Sequence, residues 1–127
     1  MGPSRILIVD DHPLFREALR QALSGGGSDL EISEAGSLDS LIAQLTRHEG
    51  CDLVLLDLRM PGVQGFSGLI YLRTEYPNIP VVVVSANEES GVVRKSLDLG
   101  ASGFIPKSAD TRTIIEAVET ILQGGVW

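Results

Sequence analysis

Five polar side chains in this sequence stand just behind short apolar runs. Asp10 and Asp11 follow Ile6-Leu7-Ile8-Val9, Asp57 follows Leu53-Val54-Leu55-Leu56, Ser85 follows Val81-Val82-Val83-Val84, and Lys107 comes shortly after Phe104-Ile105. Unbroken apolar runs of this length mark strands buried on both faces, and their ends point to the carboxyl edge of a sheet, where open α/β folds bind ligands. Asp57 taken alone reads equally well as a solvated loop acid. Three carboxylates brought together are another matter: they repel, so the set implies raised pKa values or a bound hard cation. Mg²⁺ fits best, because it is usually held by one or two carboxylates plus waters and phosphate oxygens. Lys107 adds a positive charge and Ser85 a hydroxyl donor, a pair suited to the oxygens of a phosphoryl group. Asp57 is then the natural nucleophile, since an ionised carboxylate forms an acyl phosphate without a general base. Neither His12 nor His48 is required for that chemistry; His12 is assigned to fixing the loop before Pro13, and His48 to the surface.

The elements that must position these groups follow from hydrophobic periodicity. Strands are expected at Arg5 to Asp10, Leu30 to Glu34, Leu53 to Leu56, Val81 to Val84 and Ser102 to Ile105. Between and after them lie helical stripes: Phe15, Ala18, Leu19, Ala22 and Leu23; Leu38, Leu41, Ile42 and Leu45, with Arg47, His48 and Glu49 facing water; and Phe66, Leu69, Ile70 and Leu72 from about Gln64 to Glu75. Two more follow: Val92, Val93 and Leu97 in a weak helix from about Glu88 to Leu99, and Ile114, Ile115, Val118, Ile121 and Leu122 from about Ala109 to Gln123. Pro13 suits a helix first turn, Ser37 an N-cap and Gly100 a left-handed C-cap. Five strands alternating with five helices imply an α/β fold, a doubly wound five-stranded parallel sheet with helices on both faces, in the flavodoxin-like order 2-1-3-4-5. That order brings Asp10, Asp11 and Asp57 into one crevice.

Composition narrows the function classes. At 127 residues the chain is one domain in length. Ten Lys and Arg against 17 Asp and Glu give a net charge of −7, which disfavours a nucleic-acid or anionic-membrane surface on this chain. The single cysteine, Cys51, excludes an internal disulfide and a cysteine-rich zinc site. Gly25-Gly26-Gly27 follows a helix instead of opening one and lacks a Gly-Lys-Ser/Thr sequel, so it reads as a helix-exit loop and not a phosphate cradle. No apolar run reaches the ~20 residues of a spanning helix and Met1 to Ser4 has no signal-peptide pattern, so a cytoplasmic protein is expected.

Four spaced motifs carry a family resemblance: Val9-Asp10-Asp11-His12-Pro13-Leu14-Phe15-Arg16, Leu56-Asp57-Leu58-Arg59-Met60-Pro61-Gly62, Val84-Ser85-Ala86, and Gly100-Ala101-Ser102-Gly103-Phe104-Ile105-Pro106-Lys107. In order and spacing they resemble the receiver domain of two-component response regulators, most of all the LuxR/NarL class of transcriptional regulators. The resemblance implies a phosphorylation-activated signalling switch that is not itself an enzyme, with Asp57 accepting a phosphoryl group from a partner histidine kinase. It further implies that Asp11, Asp57 and the backbone carbonyl of Arg59 hold Mg²⁺, with Asp10 acting through a metal-bound water. Ser85 and Lys107 would bind the phosphoryl oxygens, and Ser85 and Phe104 would form the switch, with Phe104 lacking the hydroxyl a tyrosine would supply there. Residues 1–4 are expected to be a tail, in part a cloning remnant, 5–123 the receiver, and 124–127 the start of a linker. DNA would be reached through a helix-turn-helix output domain outside this chain, and phosphorylation-linked homodimerisation is implied as well. No membrane partner is expected.

Three features depart from the family pattern or compete with it. Pro106 precedes Lys107 and Ser108 follows it, so a cis Lys107-Ser108 bond is not expected, the non-proline cis form costing ~3 kcal/mol. Arg59, two residues past the acceptor, is long and cationic and is expected to overhang the site and alter phosphoryl lifetime. A stand-alone receiver acting by protein contact, a Mg²⁺-dependent aspartyl phosphatase and a degenerate dimerisation scaffold are the competing readings. Arg59 weighs against the phosphatase, which would carry an acid there.

Overall fold

The computed structural model describes residues 4–25, 30–47, 51–58, 66–86 and 90–125. Apolar runs form the strands β1 (Ser4–Val9), β2 (Leu30–Ala35), β3 (Leu53–Leu56), β4 (Val81–Ser85) and β5 (Gly103–Pro106). The amphipathic stretches form α1 (Pro13–Ser24), α2 (Leu38–Arg47), α3 (Ser67–Glu75), α4 (Ser90–Asp98) and α5 (Thr111–Leu122). The five strands make one parallel sheet in the order β2-β1-β3-β4-β5, as expected. Side chains alternate across a strand, so the central strands supply two cores. Ile6, Ile8, Leu53, Leu55, Val82 and Val84 face α1 and α5, while Leu7, Val9, Val54, Leu56, Val81 and Val83 face α2 and α3. On the edge strand β2, Leu30 and Ile32 lean toward the first core and Ala35 toward the second.

Capping follows the sequence closely. Pro13 opens α1, the Ser37 hydroxyl accepts from Ser40 N–H at 3.1 Å to start α2, and the Asp110 carboxylate accepts from Thr113 N–H at 2.8 Å to start α5. Gly100, at φ +102°, closes α4 with a Schellman pair: Ala101 N–H donates to Ser96 O and Gly100 N–H to Leu97 O, each at 3.0 Å.

Boundaries and faces differ from expectation in a few places. Ser4 joins β1 opposite Leu30, and α5 starts at Thr111, because Asp110 takes the cap. The expected helix starts at Gln64 and Glu88, and the surface positions His48 and Glu49, lie outside the described residues. On α4 the inward side differs from expectation in part: Val92 packs against the second core as expected, but Leu97 is 45% exposed and Ser96 is fully buried, its hydroxyl donating to Val92 O at 2.8 Å. A serine that returns its hydroxyl to the preceding turn is satisfied within the helix, so it tolerates the close approach to β5 that a leucine would block. Ile70 on α3 and Leu14 on α1, at 48% and 88%, are likewise exposed, and Ile70 leaves its expected apolar face. The peptide bonds of the described residues are trans, that between Lys107 and Ser108 included.

Candidate functional site

Strand register brings the acids together. Val9 pairs with Leu56, so the next residues, Asp10 and Asp57, leave the sheet side by side, and Asp57 N–H donates to Val9 O at 2.8 Å. Ser85 pairs with Pro106, and the Lys107 N–H donates to Ser85 O at 2.9 Å, which holds the lysine at the same edge. Lys107 Nζ then reaches inward to lie 2.9 Å from Asp10 Oδ2 and 3.2 Å from Asp57 Oδ2. Asp10, Asp57 and Ser85 are all buried, and Asp11 is partly so. Burial alone would push the Lys107 pKa down. The hydrogen bond and charge of Asp10, followed by the charge of Asp57, outweigh it and hold the ammonium above its ordinary value.

The balance is incomplete. Oδ2 of Asp10 and Oδ1 of Asp11 are buried atoms without a hydrogen-bond partner, although Asp10 Oδ2 keeps its ion-pair contact with Lys107. Buried carboxylate oxygens in that condition suit a hard cation, which needs no directional donor. Asp10, Asp11, Asp57 and His12 each offer one ligand atom, all within 4.8 Å of one another.

Three residues of α1 support this edge. Arg16 Nη1 donates to the Asp10 carbonyl at 2.6 Å, while its Nε donates to Glu34 on β2 at 3.1 Å, so a guanidinium bridges the ends of β1 and β2. Gly36 lies against it: a Cβ there would stand 2.9 Å from Arg16 Nη1. Arg20 adds a second donor to Glu34 at 2.8 Å, and these arginines, Arg20 foremost, hold the Glu34 carboxyl below its usual range despite some burial. Phe15 lies under Lys107, with Nζ 4.7 Å from the ring centroid.

Asp10, Asp11, Asp57 and Lys107 therefore meet as expected, and Ser85 ends the neighbouring strand. Phe104 is half-buried against the α2 and α3 core, paired with Val83. Arg59 lies outside the described residues. The roles of His12 and Arg16 were missed. His12 does not merely fix the loop: its ring turns over the acids, with Nδ1 3.0 Å from Asp10 Oδ1 and 3.2 Å from Asp11 Oδ1. Its place directly after the acid pair was the available signal. A cavity of about 50 Å³ lies at the other end of β1, lined by Arg5, Glu31, Gln44 and Cys51, whose thiol pKa is raised chiefly by burial. It has room for a few waters and lies away from the acids.

A sequence profile described as "Response regulator receiver domain" matches residues 6–119. The chain belongs to that family. Among its relatives, this receiver is 47% identical to the glycerol metabolism activator of Pseudomonas putida, over 97% of this chain and 56% of the relative. It is 33% identical to the nitrate/nitrite response regulator NarP of Escherichia coli, over 96% of this chain and 56% of that protein. The solved receiver domain of the response regulator NarL from Mycobacterium tuberculosis superposes with a TM-score of 0.86 at 33% identity, covering 98% of this chain and 99% of that one. The receiver is thus of the LuxR/NarL type, a domain class that is regulatory and interacts with histidine kinases. The chain spans about half the length of the curated relatives it matches. No helix among the described residues is long and apolar enough to cross a membrane.

Proposed function

We propose that this receiver is a phosphorylation-activated switch in which Asp57 accepts a phosphoryl group from a histidine kinase. The observation that carries the reading is the convergence of Asp57, Asp10, Asp11 and Lys107 at one sheet edge, with Lys107 Nζ 3.2 Å from Asp57 Oδ2. An oxygen of the Asp57 carboxylate forms the new bond to phosphorus. The phosphorus–nitrogen bond of the kinase phosphohistidine breaks, and the imidazole nitrogen keeps the electron pair. Asp57 has no proton to lose, so the step needs no base. Lys107 offsets charge on the transferring oxygens and the Ser85 hydroxyl donates to one of them.

Asp11, Asp57 and the carbonyl of Arg59 would hold Mg²⁺, with Asp10 acting through a water, and the two buried carboxylate oxygens that lack a hydrogen-bond donor support a cation of that kind. When bound, the ion supplies positive charge beside the phosphoryl oxygens.

A phosphoryl group adds about −1.5 to −2 charges at neutral pH and competes with Asp10 for Lys107. Its capture of Lys107 and Ser85 shifts the ends of β4 and β5, and Phe104, packed next to them, carries the change outward. The output is transcriptional: this receiver, spanning residues 5–123, is joined through a linker starting near Gly124 to a helix-turn-helix domain that contacts DNA. Homodimerisation is linked to phosphorylation, and the protein works in the cytoplasm. Incubation with Mg²⁺ and a small phosphodonor, read by intact mass, tests the reading. The native chain gains one phosphoryl group and Asp57→Asn gains none; no gain on the native chain, or equal gain on the variant, refutes it.

A further inference from the structure

We infer that His12 is itself a ligand of the divalent cation, so that this edge takes borderline transition ions such as Co²⁺ and Ni²⁺ more tightly than its carboxylates alone would. The inference rests on the reading of the edge as a cation site and goes beyond it in naming a nitrogen donor.

The geometry points to it in three ways. His12 occupies the N-cap of α1, yet its side chain makes no capping bond; its N–H instead donates to Asp10 Oδ1 at 2.8 Å, and the ring is left to turn over the acids. Nδ1 lies 3.0 Å from Asp10 Oδ1, 3.2 Å from Asp11 Oδ1 and 3.9 Å from Asp57 Oδ2. Octahedral ligands about 2.1 Å from a metal stand about 3 Å apart when adjacent and about 4 Å apart when opposite. The spacings to Asp11 and Asp57, the two carboxylates read as direct ligands, already match.

The third observation is a conflict among donors. Nδ1 also lies 3.1 Å from Lys107 Nζ, and an ammonium can only donate. A lone pair on Nδ1 serves Lys107 but leaves Asp10 Oδ1 facing another acceptor, whereas a proton on Nδ1 serves Asp10 but turns it against Lys107. A cation bound beside Asp11 Oδ1 accepts the electron pair of Nδ1 directly and reaches Asp10, which is 2% exposed, through a metal-bound water, so neither acid is left facing a lone pair. Lys107, 15% exposed and on a flexible stem, has to swing aside. Imidazole adds little affinity for the hard ions Mg²⁺ and Mn²⁺ and considerably more for Co²⁺, Ni²⁺ and Zn²⁺.

The test uses the untagged chain with Mn²⁺ and Ni²⁺ as probes. Electron spin-echo modulation of bound Mn²⁺ should show a directly coordinated imidazole nitrogen in the native chain and in His48→Gln, and lose it in His12→Asn. Calorimetric titration should show His12→Asn weakening Ni²⁺ by about tenfold or more, since even an outer-shell partner is worth that much, while Mg²⁺ changes less than about threefold. The ring is 61% exposed, so the variant should keep its fold, with His12→Ala as a second probe and thermal melts as control. Bound Mn²⁺ without nitrogen modulation, or equal Ni²⁺ affinity in the variants, overturns the role of His12 and leaves the cation site standing. No Mn²⁺ or Mg²⁺ binding to the native chain overturns both.

Discussion

Replacing Arg16 by alanine tests whether the acid pair is held from behind. The guanidinium donates to the Asp10 carbonyl at 2.6 Å and to Glu34 at 3.1 Å, with only 21% of the side chain exposed. A hydrogen bond from a charged donor contributes about 1.5–3 kcal/mol, and a partly buried ion pair adds up to about 1 kcal/mol. The expected loss is thus about 2–4 kcal/mol, a large part of the ~5–15 kcal/mol that holds a domain of this size. At roughly 3–5 °C per kcal/mol, the melting temperature should fall by about 10 °C. Arg16→Lys, which can reach one partner at a time, should lose about half as much. Arg20→Ala removes the other donor to Glu34 but from a side chain 48% exposed, so it should cost less than about 1 kcal/mol. Gly36→Ala supplies a coupling test, because its Cβ would meet Arg16 Nη1 at 2.9 Å. It should destabilise the native chain and be nearly neutral once Arg16 is alanine, a non-additivity readable in a double-mutant cycle by urea unfolding. A melting temperature for Arg16→Ala within about 2 °C of native, or strict additivity with Gly36→Ala, would refute the clamp.

The same structure sets three further expectations. Because the Lys107 pKa is raised in the fold, its stabilisation is complete below the unfolded-state value of ~10.4 and is lost as pH climbs through the higher folded value; Lys107→Met should flatten that alkaline limb in pH-dependent melts, and a limb of unchanged steepness would refute the assignment. Glu34 has the opposite sign: its carboxyl is held low, so its contribution is present above ~4.5 and lost as pH falls through the folded value. Glu34→Gln should therefore show a shallower acid limb in urea titrations below pH 5. Gly100→Ala forces a Cβ into φ +102° and to 2.8 Å from Arg73 Nε, whose guanidinium is engaged with Pro77 O at 2.9 Å; a loss of about 1–2 kcal/mol is expected, and a neutral outcome in equilibrium unfolding would contradict the strain.

What the sequence made legible was the set of groups at the sheet edge, because each was written as a break in an apolar run. The parallel sheet and its helix layers followed from alternation, whereas the strand order rested on the fit of a five-unit chain to the flavodoxin-like pattern. One position of α4 was not legible: Leu97 outranks Ser96 in hydrophobicity, but a serine that satisfies its own hydroxyl against Val92 O fits closer to the sheet. The support from Arg16 was hidden for a different reason. It joins residues of α1, β1 and β2 that only the folded topology brings together, and an arginine in an amphipathic helix ordinarily reads as solvent-facing.

The polar endings also solve a problem that the apolar runs create. In a half-exposed strand, slipping the register by one residue moves the apolar set to the wrong face and is forbidden by burial. Here β1, β3 and β4 are apolar on both faces, with Ile6 and Ile8 on one side and Leu7 and Val9 on the other, so a slip by one would exchange one aliphatic residue for another. Burial therefore discriminates weakly between registers. What forbids the slip is the next residue: drawing Asp10 or Asp57 one step inward would remove its carboxylate from Lys107, and an unpaired buried charge costs several kcal/mol. The acids that could serve phosphoryl chemistry thus also act as stops that align β1 with β3. That double duty explains why a cluster of mutually repelling carboxylates can persist in a fold whose hydrophobic pattern alone would leave its central pairing loosely specified.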